Sequence, residues 1–185
     1  MSFYGSKRKT TIGDEDLREL YAFGERDFSR DQYRLDLVDP AGANLSGANF
    51  TGANLAEVNL YQVNFSESDL SNASIVFSWL EECILKGTIL NGAELGSATI
   101  RSCDLTDASL IGVDLFEIKL TNSNLTRANL TGANVEGALL EGNIYFETIM
   151  PDGTIRTDAS TVGRVEERNP PPNPFNPNYS NPSSH

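Results

Sequence analysis

The chain has 185 residues, a mass of 20.2 kDa and 39% apolar residues, which is enough for one domain with its own core. Fourteen basic against 26 acidic residues give a net charge of -12, which argues against a surface for nucleic acid or anionic lipid. One histidine, His185, and two cysteines are too few for a histidine-based active site, a metal centre or a disulfide framework, so we predict no catalytic activity, metal or cofactor. No signal-peptide pattern and no run of eighteen apolar residues is present, and we expect a soluble, cytoplasmic protein.

The first predicted element is a short helix from Asp14 to Gly24. Leu17 and Leu20 recur at helical spacing, Asp14 suits the N-cap position, and glycine is common just after a helix end. A helix that precedes a repeat domain can shield the open end of that domain. We therefore assign residues 1–27 to an N-terminal arm with a capping helix.

The longest segment of the chain repeats every five residues. From Leu45 to Ile155, every fifth residue is large and apolar over 23 consecutive positions. The residue two places before it is small in nearly every unit, and the residue two places after it is often Gly or Asn. This period is neither the 3.6 residues of a helix nor the 2.0 of a half-buried strand. Phe28 and Tyr33, also five apart, predict an irregular first coil ahead of the regular repeat.

Short strands that close into a square explain a period of five. Residues two apart face the same side of a strand, so the large and the small residue of each unit both point inward. Gly and Asn tolerate the positive φ of a tight turn at each corner. Four sides use twenty residues, and 23 units divided by four give 5.75 coils. A spacing of about 4.8 Å between coils then predicts a tube on the order of 28 Å long.

The sequence of the units resembles that of a known family. Ala-Asn-Leu-Ser-Gly at residues 43–47, Ala-Asn-Phe-Thr-Gly at 48–52 and Ala-Asn-Leu-Thr-Gly at 128–132 resemble the A-[DN]-L-x-x unit of pentapeptide repeat proteins. The resemblance covers about 115 of the 185 residues, and the whole chain looks like the cyanobacterial members of the family. It implies an all-β solenoid, a right-handed quadrilateral parallel β-helix of about six coils, to which we assign residues 28–157. The Asn or Asp position departs from this unit at Ser74, Trp79, Ile84 and Ile89.

The C-terminal part of the chain changes in composition. Pro151-Asp152-Gly153-Thr154 predicts a turn that folds the last strand back as a closing flap. Residues 158–185 are rich in Pro and Asn and predict an extended tail, in which Phe175 and Tyr179 are candidate anchors.

Two cysteines occupy the small inward position in neighbouring coils. Cys83 and Cys103 are twenty residues apart and are expected to stack. Parallel side chains in register point the same way and rarely reach the torsion of a disulfide. We therefore predict two reduced thiols that pack as small hydrophobic groups.

One group of apolar residues is predicted to face outward. Val76, Phe77 and Trp79 surround one corner of the second coil, and Phe116 and Leu139 lie in the same columns two and three coils further on. Contiguous aromatic side chains on a polar solenoid indicate a contact surface. Three occupants remain open: the arm or tail of the chain itself, a second copy of the chain, or a foreign protein.

These features predict a non-catalytic interaction module or scaffold with a protein partner of unknown identity, without nucleic acid or membrane. The alternative comes from the resemblance: one branch of the family imitates duplex DNA and binds DNA gyrase or topoisomerase. Residues 41–155 hold 4 basic and 14 acidic residues, a charge of 4 - 14 = -10, which permits such mimicry. The acidic residues are scattered over several predicted faces, which argues against it.

Overall fold

The computed structural model describes residues 10–30, 32–37 and 39–157. The predicted tail, including Phe175 and Tyr179, lies outside these ranges. In chain order the elements are β1 (Thr10–Ile12), α1 (Asp14–Ala22), β2 (Tyr33–Leu35), β3 (Trp79–Glu81), β4 (Thr99–Arg101), β5 (Lys119–Thr121), β6 (Thr148–Ile149) and β7 (Ile155–Arg156). Within the described ranges, no helix has the length and apolar content needed to cross a membrane.

Parallel bridges between residues twenty apart build a β-helix. They run in four columns, which begin at Asn44↔Asn64, Asn49↔Asp69, Asn54↔Ser74 and Asn59↔Trp79. Each column is one side of a square cross-section, and we name these sides A, B, C and D in that order. Within these columns, the pairing extends to three consecutive residues in β3, β4 and β5 on side D. The other described sides pair by single bridges that lie between turns.

The large residue of each unit fills the axis of the tube. Leu45, Phe65, Leu85 and Leu105 follow one another at intervals of one coil on side A, and each is at most 1% exposed. Phe65 also meets Phe50 edge to face, with ring centroids 5.5 Å apart. This inward file confirms the interpretation of the five-residue period, since burial of these side chains is the main favourable term available to so narrow a fold.

The start of α1 differs from the prediction. Gly13, not Asp14, is the N-cap residue, and its N–H donates a hydrogen bond of 3.1 Å to the carboxylate of Asp16. The Asp14 carboxylate instead accepts the backbone N–H of Asp39, at 3.0 Å. Asp14 therefore ties the helix to the β-helix rather than capping its own helix.

The end of α1 follows the prediction. Gly24 has a φ of +97°, and its N–H donates to the carbonyl of Tyr21 at 3.0 Å. The N–H of Glu25 donates to the carbonyl of Leu20 at 2.9 Å. These two bonds form the Schellman pattern, which needs a residue that tolerates positive φ just after the helix.

The helix packs against the first regular coil. Leu17 is completely buried, and the Tyr21 hydroxyl donates to the carbonyl of Ser46 at 2.8 Å. The Arg18 guanidinium donates to the carbonyl of Ala41 at 2.9 Å.

An irregular partial coil precedes the regular ones, as the spacing of Phe28 and Tyr33 predicts. Phe28 is completely buried and stacks on Phe50, with ring centroids 5.3 Å apart. Tyr33 instead begins β2, which pairs in parallel with β1. The sequence does not predict β1, because a strand of three residues shows no period of its own.

The C-terminal end of the tube is closed on one side by a hairpin. β7 pairs antiparallel with β6, and the turn between them contains Gly153 at a φ of +83°. This confirms the predicted flap. The prediction that Ile155 faces inward is wrong: its side chain is 69% exposed, because the chain has already reversed direction. Val135, Leu140 and Met150 remain only partly buried, since no further coil covers them within the part of the chain that the structure describes.

Candidate interaction surface

The two cysteines lie in the core and not at a surface. The N–H of Cys83 points at the sulfur of Cys103, 3.3 Å away, and the Cys83 thiol donates to the carbonyl of Leu60. The side-chain interaction between the two thiols, together with burial, raises the pKa of the Cys83 thiol well above its ordinary value. Both thiols are unlinked and buried, as predicted, so Cys83 is held in its unreactive protonated form.

The predicted contact surface is centred on the corner between sides C and D in the second coil. Val76 and Phe77 form the turn at this corner, and Trp79 begins side D. Phe77 is 63% exposed, whereas Val76 and Trp79 are partly buried. These three residues form the compact part of the surface, which we name the aromatic corner.

Phe77 occupies a backbone position that does not favour it. Its φ is +58°, in the left-handed region, where a bulky side chain is uncommon. The equivalent residues of the other coils at this corner are hydrophilic or glycine: Glu57, Ser97, Glu117 and Gly137. The fold therefore does not require an aromatic residue here, and the ring faces water.

Trp79 is held in place by a short polar network. Its indole N–H donates to the Glu81 carboxylate at 3.1 Å, and the same carboxylate lies 3.7 Å from the Arg101 guanidinium. The pairing with Glu81 limits the orientations of the ring. The orientation of the apolar face of Trp79 is therefore already fixed in the free protein.

The other two predicted residues lie apart from the aromatic corner. Phe116 is 39% exposed and stands two coils from Val76 in the same column, about 10 Å away, with Gly96 between them. Leu139 is 40% exposed and lies three coils from Trp79, with β4 and β5 between them. The structure thus brings together three of the five predicted residues and leaves two as isolated apolar positions.

Carboxylates border side D along both of its corners. All six are exposed or partly exposed: Glu57, Glu117 and Glu136 at the corner with side C, and Glu81, Glu82 and Glu141 at the corner with side A. Two cations stand among them, Arg101 and Lys119. The apolar residues of side D are therefore framed by a net negative rim, which favours a ligand with positive charge.

Further exposed apolar residues occur on other sides of the tube. Ile84 and Ile89 are 43% and 39% exposed and occupy the outward position of sides A and B. Their signal in the sequence is the departure from Asn or Asp at these two positions. Ile144 and Phe146, 36% and 46% exposed, lie near the C-terminal end of the tube.

Comparison with solved structures finds several similar chains, including two that are pentapeptide repeat proteins by their description. HetL from the cyanobacterium Nostoc sp. strain PCC 7120 is 20% identical over 78% of this chain and 100% of its own, with a TM-score of 0.30. Rfr23 from the cyanobacterium Cyanothece 51142 is 29% identical over 65% of this chain and 91% of its own, with a TM-score of 0.33. QnrB1, a plasmid-mediated fluoroquinolone resistance protein, is 20% identical over 74% of this chain and 72% of its own, with a TM-score of 0.43. Among curated proteins, none matches the sequence.

The family model for pentapeptide repeats matches eight copies along the regular coils. The matched segments are residues 43–76, 68–107, 80–115 and 108–142. Together they span residues 43–142, which is more than half of the chain and coincides with the part in which bridges recur every twenty residues. The five-residue repeat, the twenty-residue coils and the buried large residue of each unit agree with this match. The chain belongs to the pentapeptide repeat family.

Proposed function

We propose that this protein is a non-catalytic interaction module that binds a protein partner through the aromatic corner. The observation that carries the proposal is Phe77, an aromatic ring that is 63% exposed at a backbone position with a φ of +58°. Both properties oppose stability, and residues that persist against local strain are concentrated at functional sites.

The aromatic corner has the anatomy of a small hot spot. Aromatic residues dominate binding energy when they sit at the centre of an interface and polar groups surround them. Trp79 is oriented by its hydrogen bond to Glu81, which reduces the entropy lost on binding. The framing carboxylates of side D support a partner that carries an apolar side chain flanked by Lys or Arg.

The rest of the tube serves as the scaffold in this proposal. We extend it to a right-handed quadrilateral helix of about six coils, in which α1 shields the N-terminal end. The complete burial of Leu17 and the hydrogen bond from Tyr21 to Ser46 support that role of α1. Bonds between successive coils make the tube stiff, so the corners keep a fixed geometry.

Site-specific photo-crosslinking tests the proposal. A benzophenone-bearing phenylalanine analogue is placed at position 77 and, as the matched control, at position 67. Glu67 has the same turn position and a φ of +58°, but it lies at the corner between sides A and B, diagonally opposite. We expect a discrete protein adduct in extracts of the source organism from position 77 and none from position 67.

The adduct also identifies the occupant of the surface. Equal crosslinking from both positions, or none from position 77, would contradict the proposal. An adduct with the mass of two chains would show that the aromatic corner binds a second copy of this chain and not a foreign protein. An internal crosslink to residues 158–185 would show that the chain covers its own aromatic corner.

A further inference from the structure

A groove lies between the N-terminal segment and side C of the tube. It has a volume of about 800 Å³. One wall is formed by Arg30 and β2, and the other by the edge of the first regular coil at Gly52 and Asn54. The groove continues over the outer surface of side C as far as Glu94, two coils on.

The groove exists because the partial coil contains two extra residues. On side B, Asp27 forms its bridge with Asn49, an offset of 22 residues. On side D, the side-chain amide of Asn59 donates to the Asp39 carboxylate at 3.0 Å. These two residues are again twenty apart, as in the regular coils. From Asp27 to Asp39, the partial coil therefore contains two residues more than the first regular coil contains from Asn49 to Asn59. β2 is thus displaced from side C and pairs with β1 instead.

This displacement leaves the edge of the first coil open at Asn54. On side B, the equivalent residue Asn49 donates its N–H to the carbonyl of Arg26 at 2.7 Å and accepts the N–H of Phe28 at 2.7 Å. Among the described residues, no backbone group pairs with the N–H or the carbonyl of Asn54. Asn54 is also exposed, so an incoming chain can reach both groups.

A second open edge faces the first one across the groove. Successive residues of a strand direct their backbone groups to opposite sides. Asp36 donates its N–H to the carbonyl of Ile12 at 2.9 Å, and Arg34 pairs with Thr11, so the groups of these residues point toward β1. The N–H and carbonyl of Leu35 therefore point away from β1, toward the groove that Leu35 lines.

We propose that the groove binds an extended peptide of a partner protein, which adds as a strand between β2 and side C. Asn54 on one wall and Leu35 on the other each direct an N–H and a carbonyl into the groove, and an extended main chain offers the same groups on both of its edges. The charged lining, Arg30, Arg34, Asp36 and Glu94, is balanced in sign. Recognition therefore rests on the main chain more than on charge. This site goes beyond the aromatic corner and does not depend on it.

A peptide that copies residues 71–77 is a direct probe, because this segment already pairs with the other side of the first coil at Ser74. The acetylated and amidated peptide carries a fluorophore, and binding is followed by anisotropy up to a concentration of ~1 mM, the weak end of the affinity scale. The matched control peptide is N-methylated at its central residue, which removes one N–H donor. We expect binding of the first peptide and about tenfold weaker binding of the second.

Two protein variants at Asn54 locate the site. Asn54→Pro removes the backbone N–H that faces the groove, whereas Asn54→Ala keeps it. Both variants lose the hydrogen bond that the Asn54 side chain accepts from the N–H of Ala56. We expect Asn54→Pro to bind about tenfold more weakly and Asn54→Ala to bind within about twofold of the wild type. Equal binding by Asn54→Pro and the wild type would overturn the proposal, as would the absence of binding by the wild type at ~1 mM peptide.

Two further measurements keep the outcome clear. If Asn54→Pro does not fold, the comparison of the two peptides on the wild-type protein decides, and equal affinities overturn the proposal. Amide hydrogen exchange at Asn54 is expected to be fast in the free protein and slow with peptide. Slow exchange in the free protein that becomes fast when residues 1–9 or 158–185 are removed would show that the chain fills its own groove, and the proposed partner would be wrong.

Discussion

Phe77 shows how one residue can separate the needs of the fold from those of binding. At its corner the backbone requires positive φ, which Gly137 meets without strain and Glu57 meets with a solvated side chain. An aromatic ring adds strain and exposed apolar surface at the same time. The position of Phe77 two places after the large residue of its unit is visible in the sequence. Other units often have glycine at this position, which predicts a positive φ there and therefore strain for a phenylalanine.

Replacing Phe77 with glycine tests whether the ring stabilises the tube. We expect Phe77→Gly to raise the free energy of unfolding by about 1 kcal/mol, because glycine adopts positive φ without a steric penalty. Chemical denaturation measures the change. Glu67→Gly, at the diagonal corner with the same φ, gives the backbone contribution alone. A clear loss of stability in Phe77→Gly but not in Glu67→Gly would mean that the ring packs on the tube and is structural.

Leu105 is the residue-scale test of the core. We expect Leu105→Asp to lower the free energy of unfolding by ~3–5 kcal/mol, since the carboxylate would stand unpaired in the axis of the tube. Ile111→Asp is the matched control, because it adds the same charge one unit further on at a side chain that is 43% exposed. Its effect should stay within about 0.5 kcal/mol. Thermal denaturation followed by circular dichroism compares the two, and equal melting curves would contradict the inward placement of Leu105.

At the scale of elements, the repeat determines what the sequence reveals. Every inward residue from Leu45 to Leu130 follows from the period, because each side of the square imposes the same steric rule. The period fails at Ile155, since it carries no information on where the chain reverses. The pairing of β1 with β2 leaves no periodic trace, because it depends on two extra residues whose effect is visible only in three dimensions. The groove therefore could not be predicted, whereas the aromatic corner could.

The hairpin of β6 and β7 gives a prediction at this scale. β7 covers the free edge of β6, and the Arg156 guanidinium lies 3.8 Å from the centre of the Tyr145 ring. A chain that ends at residue 150 loses both contacts, whereas one that ends at residue 157 keeps them. We expect the shorter chain to melt several degrees lower, at about 2–4 °C per kcal/mol lost, and to associate through its exposed edge.

Scanning calorimetry and light scattering compare the two chains. The chain ending at residue 157 serves as the reference, because it lacks only residues 158–185. Equal melting temperatures and equal masses for both would show that the hairpin does not protect the end of the tube.

At the scale of the whole molecule, the distribution of charge bears on DNA mimicry. The charge of -10 over residues 41–155 is large for a tube of this size. Six carboxylates border side D, while the remaining eight are spread over the other sides and corners. Duplex DNA presents its phosphates in two regular rows, which this arrangement does not reproduce.

We therefore expect the purified protein to leave the supercoiling activity of DNA gyrase unchanged at micromolar concentrations. A gel assay of plasmid supercoiling measures the effect, and bovine serum albumin at equal concentration controls for nonspecific binding. Inhibition, or protection of the enzyme against a fluoroquinolone, would favour the DNA-mimic alternative over the interaction module.

Because coils are stacked by bridges between residues twenty apart, length along the axis is counted in whole coils. Removing residues 86–105 would join equivalent positions and shorten the molecule by about 4.8 Å without rotating one end against the other. The distance along the axis between the aromatic corner and the C-terminal hairpin can thus change only in steps of one coil. Duplication or deletion of one coil would therefore change the spacing between two surface features by a fixed increment and keep their relative orientation.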